Sequence, residues 1–286
     1  MAHEAVAAIR QAMPPRACDC HTHVIGAAEA YPMAPDRHYT PGPASAARLR
    51  RHLEQTGMAR VVVVQPSVYG TDNTCLLDAL RELDGRARGV AVIDSGFTPA
   101  SLRTLHDGGV RGVRVNLESG GLQDVRDAER ALAAISAQVA DLGWHVQLYA
   151  AYGVIEALAP VLAGLPCPVV LDHFAMAPWS PAAGAVLADL LRSGRVHLKL
   201  SAPYRLASQP DAAQWARMLG EQAPSALLWG SDWPHTARAP GKAAHEVSPY
   251  RKIGPKRLLA DLARWLPTEA LRQAVLADNP DRLYWR

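Results

Sequence analysis

The stretch ACDCHTHVIG, Ala17–Gly26, places His21 and His23 one residue apart at the end of a short run of small and apolar side chains. Read as a strand over 17–23, it sends both imidazoles to one face, because side chains alternate across a strand with a period of two. The same alternation puts Asp19 on the histidine face, one step deeper, as a support for the pair. It turns Cys18 and Cys20 away, toward surrounding helices.

Working outward, similar runs recur along the chain. ARVVVVQP (59–66), ARGVAVID (87–94), GVRGVRVN (109–116), WHVQLYA (144–150), PVVLDHF (168–174), VHLKLS (196–201) and LLWGSDW (227–233) read as strands. Amphipathic stretches with apolar residues every three or four positions lie between most of them, among them SAARLRRHLEQTG and DVRDAERALAAISAQVADLG. Near-continuous apolar strands imply burial on both faces and a parallel sheet. About eight βα units predict an α/β protein, a distorted (β/α)8 TIM barrel in one domain (1–286), with residues 1–16 as an N-terminal extension. No Gly-rich phosphate fingerprint follows any strand, which speaks against nucleotide binding. Two long loops, YPMAPDRHYTPGPA (31–44) and HTARAPGKAAHEVSPYRKIGP (235–255), are expected over the barrel mouth.

Bulk composition narrows the function classes. Hydrophobic residues make up 49% and charged residues 20% of 286, with a net charge of +3. The basic residues are dispersed, so no nucleic-acid footprint is expected. No run has the length of a membrane span and no secretory leader is visible, so a cytoplasmic protein is expected. The four cysteines read as buried, reduced thiols. A homo-oligomer is compatible with the sequence.

In a barrel of this kind the reactive groups stand at the carboxyl ends of the strands. Those ends present His21 and His23, Ser67, Arg114 with Asn116, Gln147 with Tyr149, Asp172 with His173, Arg205 just past the seventh strand, and Asp232. Asp172 and His173 are adjacent, so on a regular strand one alone faces inward. His173 is assigned that role and Asp172 a structural one. Lys199 lies mid-strand, inside the barrel. Three imidazoles and a carboxylate can bind one divalent metal, zinc first. Without metal, the imidazoles can polarise a carbonyl while Asp232 takes a proton from water. Arg114, at an apolar strand end, calls for an anionic partner. Arg205, the loop residue Tyr39 and Ser67 complete the expected substrate contacts.

The motifs CHTHVIG, YPMAPDRHYTP, VVVVQPSVYGTDN, LHDGGVRGVRVN, VVLDHF, WGSDWPH and DNPDRLYW, spread over nearly the whole chain, resemble the amidohydrolase superfamily and, within it, the pyrone-dicarboxylate lactonase group. The resemblance implies hydrolysis of a small anionic lactone, bearing a carboxylate or sulfonate and drawn from aromatic or sugar-acid breakdown. It implies Asp232 as the group that activates water. It implies His21, His23 and His173 as polarising groups or, with Asp232, as ligands of one zinc or of none. It implies Tyr39, Arg114, Tyr149 and Arg205 as substrate contacts. Two arginines of that group are replaced here, at Gly120 and Met176, which predicts a substrate other than the pyrone dicarboxylate, with a single anionic group. A metal-dependent decarboxylase of an aromatic or enol acid is the first alternative; a lactone isomerase and a non-catalytic binding protein follow.

Overall fold

The computed structural model describes residues 9–118 and 124–285. Eight strands, β1 (Cys18–Thr22), β2 (Arg60–Val64), β3 (Ala87–Ala91), β4 (Val110–Asn116), β5 (His145–Tyr149), β6 (Val169–Leu171), β7 (Val196–Ser201) and β8 (Leu227–Gly230), pair in parallel in chain order. β8 returns to β1: the His23 amide donates to Trp233 O (2.8 Å) and the Asp232 amide to His21 O (2.9 Å), closing the ring. The strands are Val- and Leu-rich because both of their faces are covered, one by the barrel interior and one by helices.

The helices that wrap the barrel are α1 (Ala46–Thr56), α2 (Thr74–Glu82), α3 (Pro99–Asp107), α4 (Val125–Val139), α5 (Tyr152–Leu162), α6 (Pro181–Arg192), α7 (Asp211–Gln222) and α8 (Pro255–Trp265). Their starts are written in the sequence. Ser45, Thr98, Asp124 and Ser180 each accept a backbone N–H of the first turn, satisfying donors that the helix itself leaves open. Gly57 closes α1 at φ 76°, a left-handed value for which glycine carries no steric penalty. A short C-terminal segment, α9 (Glu269–Gln273) and α10 (Asn279–Tyr284), plugs the amino end of the barrel with Leu283 and Tyr284. The two long loops meet over the mouth, where Thr40–Pro41 pairs with Val247–Ser248. No helix among the described residues is long and apolar enough to cross a membrane.

The first strand departs from regular alternation. Asp19 is opposite Val61 and Thr22 opposite Val63, so three steps on β1 match two on β2. That extra residue is a β-bulge. Counting back from His21 therefore misassigns the faces below it. Cys18 and Cys20 lie inside the barrel, packed with Val62, Val64, Val90, Val170 and Leu228, not against the helices. Asp19 lies on the outer face rather than with the histidines: its Oδ2 is 3.4 Å from His52 Nε2 of α1. It still supports the site through its other oxygen, which accepts from the amides of His21 (3.3 Å) and Ser231 (2.9 Å). Gly230 makes room for the bulge: a Cβ there would stand 2.5 Å from His21 Cβ.

Candidate active site

The bulge aims His21 and His23 into the mouth of the barrel, with ring centroids 5.0 Å apart. Asp232 meets both: its Oδ1 is 3.5 Å from His21 Nε2 and 3.4 Å from His23 Nε2. His173 completes the group, its ring 4.7 Å from that of His21. All four side chains are buried. β6 ends at Leu171, and His173, Phe174, Ala175 and Met176 follow with φ between 50° and 55°. Asp232 itself has φ 59° and Ala202, after β7, 47°. Non-glycine residues in this region cost about 1–3 kcal/mol each, and here they gather at the carboxyl ends of β6, β7 and β8.

The left-handed turn also corrects the expectation for Asp172. With strand alternation ended, Asp172 and His173 both face the interior. Asp172 Oδ1 is 3.2 Å from His21 Nδ1 and 3.3 Å from Lys199 Nζ. Its Oδ2 accepts from Gln147 Nε2 at 3.0 Å. Lys199 is inside the barrel as expected, fully buried, beneath His21.

Above these groups opens a cavity of about 410 Å³, lined by His23, Tyr39, Ser67, Arg114, Tyr149 and Arg205 among others. Every expected substrate contact thus reaches one space. Arg238 and Arg251, from the loop after β8, line it too, against one carboxylate, Glu118. Arg114 lines the cavity with its Nε buried 4.0 Å from Asp172 Oδ2 and its Nη1 donating to Gln65 O at 3.4 Å. Met176 does not line the cavity. Gly120 lies outside the described residues.

Arg205 is committed more firmly than the sequence suggested. Its Nη2 and Nε donate to Asp232 Oδ2 at 2.9 and 3.2 Å. Tyr204 Oη donates to the same oxygen at 2.6 Å. Tyr204 was not among the expected site residues. Its neighbour Arg205 was, and the 3-10 turn Pro203–Arg205 is what brings both side chains to one carboxylate. Burial alone would raise the pKa of Asp232; Arg205 first, then the surrounding histidines, outweigh it and hold the carboxyl well below the usual range. Burial lowers His21 to about 4, against the opposing pull of Asp172, and lowers His173 well below its usual value. His21 and His173 are therefore neutral and the carboxylate ionised near neutral pH.

Hydrogen bonds fix part of the tautomer pattern. His23 Nδ1 is 2.8 Å from Val64 O. A carbonyl oxygen only accepts, so Nδ1 carries the proton, and in the neutral ring Nε2 then presents a lone pair toward Asp232 Oδ1. Two acceptors thus face each other. Neither His21 Nε2 nor Asp232 Oδ1 has a hydrogen-bond partner among the described residues. A water giving a proton to each acceptor, or a cation, resolves the opposition. The donor atoms of His21, His23 and Asp232 lie within 4.8 Å of one another, as do those of His21, Asp172 and His173. Tetrahedral bonds of about 2.0–2.1 Å need donors roughly 3.3–3.4 Å apart, so the first set fits a zinc-sized ion.

The family model described as amidohydrolase matches residues 18–286, and the chain belongs to that family. It is 36% identical to a 2-pyrone-4,6-dicarboxylate hydrolase of Comamonas testosteroni, over 96% of this chain and 91% of that one. It is 34% identical to a 4-sulfomuconolactone hydrolase of Rhizobium radiobacter, over 97% and 93%. A crystal structure of an Acinetobacter baumannii protein with citric acid bound superposes with a TM-score of 0.78, at 26% identity, over 95% of this chain and 100% of that one.

Proposed function

We propose that this chain opens a small anionic lactone by hydrolysis. The observation that carries the reading is the approach of His23 Nε2 to Asp232 Oδ1, 3.4 Å apart at the base of an arginine-lined cavity, with no other hydrogen-bond partner on Oδ1 among the described residues. A water bridging them donates one proton to each and turns a lone pair toward the cavity. The lactone carbonyl lies above it, polarised from the side of His21 and His173. Asp232 accepts a proton as the water oxygen bonds to the acyl carbon. It returns that proton to the ring oxygen as the acyl–oxygen bond breaks, leaving a hydroxy acid that ionises near neutral pH.

The surrounding residues have separable duties. Tyr204 and Arg205 saturate Oδ2 of Asp232, so the free lone pairs for the water are those of Oδ1. Arg114, Tyr39 and Tyr149 orient the anionic part of the substrate. The relatives named for a pyrone dicarboxylate and a sulfomuconolactone, and the neighbour that holds citric acid, fit an anion in this cavity. A divalent metal, zinc first, would be held by His21, His23 and Asp232, with His173 beside them, and when bound would supply Lewis-acid polarisation of the carbonyl. The unbridged, buried cysteines suit a cytoplasmic enzyme.

The test is proton release against a panel of lactones: the pyrone dicarboxylate, muconolactones with and without a sulfonate, and sugar-acid lactones. Wild type and Asp232→Asn are run in parallel, with and without zinc. General-base catalysis contributes about 10²–10⁴-fold, so the variant should lose that much turnover. Near-normal turnover by Asp232→Asn would overturn the mechanism. Carbon dioxide release without ring opening would favour a decarboxylase instead.

A further inference from the structure

Beneath the catalytic group lies a charged network that the chemistry above leaves unused. Lys199 Nζ donates to Gln147 Oε1 at 2.6 Å, and it stands 3.3 Å from Asp172 Oδ1 and 3.2 Å from His21 Nδ1. An ammonium has three protons, and Lys199 has three neighbours within reach. Two of them, the amide and carboxylate oxygens, only accept. The third, His21 Nδ1, can do either.

His21 Nδ1 is equally close to two opposite partners. Asp172 Oδ1, at 3.2 Å, asks it to donate; Lys199 Nζ asks it to accept. The outcome decides what the other ring nitrogen offers the cavity. With the proton on Nδ1, given to Asp172, His21 Nε2 is a lone pair and a metal ligand, in the arrangement by which carboxylates orient zinc-binding histidines. With Nδ1 accepting from Lys199, Nε2 carries the proton and is a hydrogen-bond donor, with Asp232 Oδ1 3.5 Å away. His23 has no such choice, because Val64 O fixes its proton on Nδ1.

The fixed charges weigh on the same balance. Asp172 and Asp232 are negative, while Lys199, Arg205 and Arg114 surround them within 4.0 Å. Three cations against two anions oppose the entry of a dication into a buried site, where charges are weakly screened. Lys199 is the one that touches the ring of a candidate ligand.

We propose that Lys199 is a positioning residue that holds His21 in the Nε2–H tautomer and keeps the zinc affinity of the centre low, with Asp172 pulling the other way. This rests on the reading of His21, His23 and Asp232 as the reactive centre, yet its test needs no substrate. Metal-free full-length protein is labelled with 15N-histidine, and His21 is assigned by comparison with His21→Gln. Zinc affinity is measured by competition with a chromophoric chelator for wild type, Lys199→Met and Asp172→Asn. The expected wild-type spectrum shows His21 protonated at Nε2. Lys199→Met should move the proton to Nδ1 and bind zinc about 10–100-fold more tightly; Asp172→Asn should bind it more weakly by a similar factor, the usual size of effects on a ligand's supporting hydrogen bond. A wild-type His21 protonated at Nδ1 overturns the proposal. So does a folded Lys199→Met that binds zinc no more tightly than wild type. If Lys199→Met does not fold, the wild-type spectrum decides. Loss of the lactonase reading, by silence of every lactone in the panel, would change neither the spectrum nor the zinc affinities.

Discussion

Gly230→Ala is the substitution whose consequence the structure specifies most closely. The new Cβ would lie 2.5 Å from His21 Cβ, 2.9 Å from His21 N and 3.2 Å from His21 Cα. None of these is the far end of a flexible side chain, so relief requires the β1 bulge to move and His21 to move with it. Overpacking of this kind costs about 1–3 kcal/mol. Loss of glycine's freedom in the unfolded chain returns roughly 0.4–1 kcal/mol. The net destabilisation is then on the order of 1–2 kcal/mol, a shift of only a few degrees in melting temperature for a chain of this size. The catalytic effect should be larger in proportion, because displacing a reacting group by about 1 Å can cost on the order of 10²-fold in rate. Gly112→Ala is the control. Its Cβ would stand 2.2 Å from His145 Cε1, one pleat below the site; the clash is with a ring at the far end of a buried side chain rather than with backbone, so the variant should be destabilised by no more than Gly230→Ala while kcat/KM falls no more than about fivefold. Calorimetry and lactone turnover on the two variants decide the matter. If Gly230→Ala keeps kcat/KM within about threefold of wild type, or if Gly112→Ala loses as much as Gly230→Ala, the claim that the bulge sets His21 is wrong.

Arg205→Met removes the leading group that holds the Asp232 carboxyl below its usual range; the neutral acid is then favoured, so the acid limb of the kcat/KM profile should move to higher pH, and an unmoved limb would remove Arg205 from that role. Arg114→Gln should raise KM about 10–100-fold with a smaller change in kcat, since a charge-assisted bond to a bound anion is worth about 1.5–3 kcal/mol; steady-state kinetics that show the loss in kcat alone would contradict it. Stability should fall as the solution is acidified from neutral. Burial lowers His145 to about 3 and His235 to about 4, so between those values and about 6.5 the unfolded chain binds the extra protons. Their contribution is therefore complete above about pH 6.5 and is lost as pH falls toward 4 and 3, at up to roughly 1.4 kcal/mol per pH unit for each histidine. Urea titrations at pH 7, 6 and 5 that give a flat unfolding free energy would refute it.

Much of the barrel is legible because its cause is local. Runs such as Arg60–Val64 are apolar at every position because both faces are covered, and the Ser, Thr and Asp residues before α1, α3, α4 and α6 mark helix starts by their own side-chain chemistry. The candidate site is legible for a related reason. A parallel barrel brings every strand's carboxyl end to one rim, so His21, His23, His173 and Asp232 could be grouped without knowing any distance.

What was not legible depends on a second segment of chain. Alternation counted through Cys18–His23 assigns the wrong faces to Asp19, Cys18 and Cys20, because the extra residue in β1 exists only where Gly230, more than two hundred positions away, leaves space for it. The same rule turns Asp172 away from the site, and it fails there because β6 stops at Leu171 and four residues in succession, His173 to Met176, adopt positive φ. Tyr204 carries no signal of its own beside Arg205 until a short turn delivers both to Asp232. These failures share a location. Each falls at or just below the rim at the strands' carboxyl ends, where regular alternation would separate groups that the proposed chemistry needs together. A strand that obeyed its period at His21 would put its support on the wrong side, and one that obeyed it at Asp172 would leave Lys199 without its carboxylate. Breaks in periodicity next to titratable residues are thus themselves a pointer to the reactive centre, since backbone irregularity of this kind is costly and persists where the surrounding packing holds it.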